Sequence, residues 1–166
     1  GYNPGVLGEC GEIQNSNLSN QTLSNLNLRG IHFAGATLDY VDFTNSDMTG
    51  MKAENSSFER ARFARAKLTA THCDGCAFRN ADMSNIDIDR AQFTNSDFRS
   101  SDLTRSRLNG SGFATTYLDR ADLQDSYFVG AQFVGGSMND AWTCGADFYS
   151  ERRAARQFHP PALLRK

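Results

Sequence analysis

The sequence predicts an all-β solenoid whose backbone turns a corner every five residues, so that four five-residue sides close one coil. Large apolar residues recur at a strict interval of five from Leu18 to Phe148, with no insertion or deletion. A second series of small residues runs two positions ahead of the first, from Ser16 to Ala146. All three prolines, Pro4, Pro160 and Pro161, fall outside the repeats, as a backbone that must donate to a ladder at every side requires. A period of five matches neither the 3.6 of a helix nor the 2 of a long strand, so neither amphipathic pattern could hold its phase over this length.

Taken in chain order, residues 1–15 are expected to form an N-terminal cap, 16–148 the repeats, and 149–166 a C-terminal helical cap and tail. The repeats contain 27 apolar centres, of which only Ala53, Cys73 and Thr143 are not Leu, Phe, Met or Ile. Four large centres meeting on one axis leave little room for a second inward residue, which explains why that series is small. Its exceptions are Gln21, Leu26, Ile31, Val41, Met51 and Ile86, and the large Met51 beside the small Ala53 reads as an exchange of volume. Ser150 is placed to cap a short helix from Glu151 to Phe158, ended by Pro160-Pro161, with Phe158 plugging the last coil.

Units such as Ala81-Asp82-Met83-Ser84-Asn85 and Ala121-Asp122-Leu123-Gln124-Asp125 resemble the pentapeptide-repeat family, whose loose motif is a small residue, Asp or Asn, Leu or Phe, and two polar residues. The resemblance covers residues 16–148 and implies a right-handed quadrilateral parallel β-helix. About seven coils at a spacing of about 4.8 Å would make a rod on the order of 30 Å long, with residue n over residue n+20. A single coil buries too little to offset its own ordering, so stability must come from ladder bonds and stacking between coils.

Total charge announces no partner, since 17 Lys and Arg stand against 19 Asp and Glu. The charge is nonetheless polarised, with residues 16–148 carrying net −4 and 149–166 net +4. The longest apolar runs are a few residues, far short of the roughly 20 that cross a bilayer, so no membrane insertion is expected. No basic-then-apolar leader precedes Gly1, and the compartment stays open: cytoplasmic, or periplasmic or lumenal if a signal peptide was removed.

No catalytic, cofactor or metal site is expected. Cys10 and Cys144 lie at opposite ends of the rod, too far apart to bridge. Cys73 and Cys76, in Thr71-His72-Cys73-Asp74-Gly75-Cys76, occupy a centre and the next small site, so they read as buried hydrophobes ahead of a redox or zinc pair. His32, Lys52 and His72 share one outer column, with the two histidines two coils apart, and His159 sits in the tail without a nucleophile beside it.

Two surfaces remain. Asp82, Asp102 and Asp122 form a candidate acidic stripe, against which stands the simpler reading that Asp satisfies backbone donors at each corner. Tyr117, Tyr127, Val129, Val134, Trp142 and Tyr149 occupy positions that are usually polar and form the candidate interaction surface. Coverage of these residues by the tail and a homodimer contact at the C-terminal end are equally compatible with the pattern.

The preferred functional reading is a non-catalytic protein-interaction or scaffold module with an unidentified protein partner. The resemblance implies an alternative, a mimic of B-form DNA that binds gyrase or another type II topoisomerase. The near-neutral charge and basic tail depart from that pattern, and no direct nucleic-acid binding is expected. A thiol-based redox role for Cys73 and Cys76 ranks last, because reactive thiols need access.

Overall fold

The structure, a computed structural model, describes residues 9–148. Within them the chain forms a four-sided, right-handed parallel β-helix, the hand that parallel crossovers adopt. One side carries seven short strands: β1 (Glu12–Gln14), β2 (His32–Ala34), β3 (Lys52–Glu54), β4 (His72–Asp74), β5 (Gln92–Thr94), β6 (Gly112–Ala114) and β7 (Gln132–Val134). They pair in sequence order into one parallel sheet, each residue opposite the one twenty positions later. We call this side face 1. The other three are ladders of single bridges, Asn17 to Ser137 on face 2, Thr22 to Trp142 on face 3 and Asn27 to Asp147 on face 4.

The ladder begins at Glu12–Gln14, ahead of residue 16, because Ile13 is itself a centre in phase with Leu18 and sits opposite Phe33. Residues 1–8 of the expected N-terminal cap, and the whole 149–166 segment with its expected helix, lie outside the described residues.

One backbone feature recurs at the corners throughout. Every fifth residue from Cys10 to Gly145 has a left-handed φ, between 46° and 74°. At most turns on faces 2, 3 and 4 the centre's carbonyl accepts from the N–H three residues on, as in Val41 to Leu38 (3.3 Å), Ser46 to Phe43 (3.0 Å) and Ile31 to Leu28 (3.1 Å). One positive φ at the third residue of such a turn is the type II pattern. Asn tolerates that region and recurs there, whereas Arg60, Arg65 and Ala70 carry the cost of a Cβ in it.

The centres fill the axis. Phe58, Phe78 and Phe98 form one stacked column, with centroid separations of 5.0 and 4.7 Å. Phe93, Phe113 and Phe133 form another, at 5.5 and 4.9 Å. Met51 and Ala53 are both buried, consistent with the exchange of volume.

The small series has a second duty beyond leaving space. The hydroxyl of Ser106 donates to the Met83 carbonyl (2.8 Å) and accepts from the Ile86 N–H (3.2 Å), both one coil earlier. Ser46 and Ser111 do the same with Leu23 and Leu26, and with Ile88 and Ala91. These side chains lean toward the preceding coil, which corrects the expectation at the start of the rod. In the first described coil Gln21 and Leu26 are exposed and not inward, Leu26 by 38%.

Candidate interaction surface

The residues between centres form straight outer columns along the rod. Asp82, Asp102 and Asp122 stand in one column of face 3, linked by consecutive bridges, with Asp42 and Arg62 before them and Trp142 after. Each carboxylate accepts from the N–H two residues on, Ser84 (3.1 Å), Thr104 (2.9 Å) and Gln124 (3.1 Å). The same bond recurs at Asp42, Asp47 and Asp97 on three faces, so the motif's acid has a structural task at the corner. Among the described residues no ion pair involves Asp82, Asp102 or Asp122, whereas Arg62 lies 3.6 Å from Asp42.

The six aromatic and branched residues do not share a face. Tyr117 is on face 2, Trp142 on face 3, Tyr127 and Val129 on face 4, and Val134 on β7 of face 1. Tyr149 lies outside the described residues. Trp142 is 65% and Val134 62% exposed, and Tyr127 is also exposed, so the last two coils are ringed by large apolar side chains. Val129 is half-buried, and the Arg99 guanidinium lies over the Tyr117 ring at 5.7 Å.

Opposite charges meet along diagonals, from a residue just after one centre to the residue just before the corresponding centre a coil later. Arg29 reaches Asp47 (3.3 Å), Asp89 reaches Arg107 (2.6 Å), and Arg79 binds Asp97, which Arg99 also holds (2.6 Å). Burial pushes the Asp97 carboxyl upward, but hydrogen bonds from the Arg99 side chain and backbone and from Arg79 outweigh it and hold the group at about 2. An offset of eighteen residues between opposite charges is the sequence signal for these pairs, and it shows only once the coil length is known.

Cys73 and Cys76 are both buried, and Cys10 and Cys144 are exposed free thiols. Burial, then the neighbouring Cys76, pushes the Cys73 thiol well up, away from the thiolate that redox chemistry needs. His32 and His72 flank Lys52 in one column of face 1, as expected. Among the described residues no group of three His, Cys, Asp or Glu side chains could hold a metal ion.

This architecture defines the class: a parallel β-helix built from five-residue units. The profile for the pentapeptide repeat region matches residues 56–133, that for pentapeptide repeats in eight copies matches 12–50, and the chain belongs to the pentapeptide-repeat family. Similar solved structures include full-length QnrB1, a plasmid-mediated fluoroquinolone resistance protein, at 20% identity over 82% of its length and 83% of this chain, with a TM-score of 0.36. HetL, involved in heterocyst differentiation regulation in the cyanobacterium Nostoc, is 17% identical, with 81% of this chain and 86% of HetL covered and a TM-score of 0.34. A pentapeptide repeat protein of the Arabidopsis thaliana thylakoid lumen is 22% identical, with 75% of this chain and 72% of that one covered and a TM-score of 0.33. No curated protein matches the chain.

Proposed function

We propose that this protein is a non-catalytic interaction module that binds a protein partner through the exposed side chains of its last two coils. The observation that carries the reading is Trp142, 65% exposed on a rod whose other large apolar residues mostly point to the axis. Trp, Tyr and Arg anchor interfaces because they combine large contact area with a polar handle. The absence of long loops among the described residues fits a display surface, since each side chain's position follows from its place in the repeat.

The test is affinity capture from native extract with the intact chain and with Trp142→Ala, followed by reconstitution with the purified partner. The reading expects one protein to be retained by the intact chain and its affinity to fall at least about tenfold in the variant. Equal retention by both chains, or turnover of a substrate by the purified protein, would overturn it.

The unpaired column Asp82, Asp102 and Asp122 favours a second reading, mimicry of a DNA duplex toward a type II topoisomerase. A gyrase supercoiling assay separates the two: inhibition or protection that is lost on replacing the three aspartates with asparagine supports mimicry. An unchanged reaction eliminates it.

A further inference from the structure

Face 1 carries a shallow groove of about 560 Å³ across β3, β4 and β5. One wall is Lys52, His72 and Gln92, and the other is Glu54, Asp74 and Thr94. Its floor is the backbone at Ala53 and Cys73, the two small centres of a stack otherwise filled by Ile13, Phe33, Phe93, Phe113 and Phe133. Alternate residues of a strand lie on the same side of the sheet about 6.6–6.8 Å apart, so the walls face each other across each strand.

The charges in this groove are left apart where comparable charges elsewhere have met. The diagonal offset of eighteen that joins Arg29 to Asp47 and Asp89 to Arg107 also relates Glu54 to His72, yet these two form no pair. The offset of two that joins Asp97 to Arg99 also relates Lys52 to Glu54, again without a pair. Among the described residues Lys52, His72 and Asp74 enter no ion pair. The Asp74 carboxylate accepts from the Asn95 side-chain amide (3.0 Å), and Glu54 lies 3.9 Å from His32. The upper end stays open for a structural reason: Gln92 leans over Gly112, where an added Cβ would lie 2.2 Å from its Oε1.

We propose that this groove binds a small zwitterion of the α-amino acid type, its carboxylate on the Lys52 and His72 wall and its ammonium group on the Glu54 and Asp74 wall. An ammonium and a carboxylate separated by two or three bonds, with a hydrogen bond of about 2.8 Å at each end, span a distance these walls and their flexible side chains reach. A ligand with one charge would meet attraction on one side and repulsion on the other, so the arrangement selects for both charges together. The site lies away from Trp142 and is independent of the protein-binding reading.

The test is an NMR titration of the full chain with glycine, with sodium acetate and methylammonium chloride as single-charge probes at matched ionic strength. Glycine should produce saturable shifts in the amides of residues 52–54 and 72–74, with half-saturation in the range of about 1–10 mM. Each single-charge probe should bind at least about tenfold more weakly. Lys52→Ala and Glu54→Gln, both at exposed positions, should each weaken glycine binding by at least about tenfold while leaving amide shifts at faces 2 to 4 unchanged. The proposal is overturned by the absence of saturation up to about 100 mM glycine, by acetate or methylammonium matching glycine, or by either variant retaining normal binding.

Discussion

The fifth residue of each unit decides whether the chain can turn, and its conformation makes specific demands. At most corners a non-glycine side chain accepts the left-handed backbone, so relief of that strain should stabilise: Ala70→Gly is expected to gain up to about 1 kcal/mol by chemical denaturation, the reverse of its effect in a helix. Gly136 is different, because it has a φ of 76° outside the corner series and an added Cβ would lie 1.9 Å from the Thr116 carbonyl oxygen. Backbone cannot yield there as a flexible side chain could, so Gly136→Ala should cost at least about 3 kcal/mol and deprotect amides of the last coil in hydrogen exchange. A variant with unchanged exchange would contradict the close approach. The sequence disclosed that the fifth position is polar and often Asn, but not that it is left-handed, since Arg, Ala and Tyr occupy it as well. Charge at the residue scale gives a pH prediction with a definite sign. Asp97 is held at about 2, below its ordinary 3.8, so its contribution is present above about pH 4 and is lost as pH falls toward 2. Asp97→Asn should remove that part of the acid limb, read as a smaller difference in melting temperature between pH 5 and pH 2.5.

At the scale of columns, the inward serines show what the small series does besides leaving room. Ser106→Ala keeps the volume nearly constant yet strands the Met83 carbonyl and the Ile86 N–H, so it should destabilise by about 1–3 kcal/mol. Ala91 at a comparable inward position has no such bonds to lose, and Ala91→Ser should bring no equal gain; an unperturbed Ser106→Ala melting curve would refute the ladder's importance. Much of this scale was legible in the chain itself. The five-residue phase put Phe58, Phe78 and Phe98 on one another, and the twenty-residue offset put His32, Lys52 and His72 in one column, because a repeat without insertions carries its register unaltered. Two features were not legible. The direction in which the small residues lean, which leaves Leu26 exposed at the first described coil, depends on side-chain geometry that spacing does not encode. The pairing of charges is equally hidden, because Lys52 and Glu54 have the same spacing as the joined Asp97 and Arg99 and yet stand apart.

For the whole molecule, the separation of duties is the main consequence of the fold. Inward positions maintain the coil, and outward positions vary with little effect on it, so surface function is free to differ among proteins of this architecture. That freedom explains why the candidate surface was only partly readable: the sequence shows apolar residues at usually polar positions, but the five that are described spread over four faces and do not gather on one. All of it rests on residue n standing over residue n+20, and disulfide trapping measures that most directly. In a background with Cys10 and Cys144 replaced by serine, Ser57→Cys with Ala77→Cys places the pair at bridged positions of face 2, within the Cα separation of about 4.4–6.8 Å that a disulfide needs. Ser57→Cys with Lys67→Cys places it half a coil apart, on opposite faces. The account predicts rapid and complete closure of the 57–77 pair under mild oxidation and none of the 57–67 pair; closure of the second, or refusal of the first in a folded chain, would contradict it.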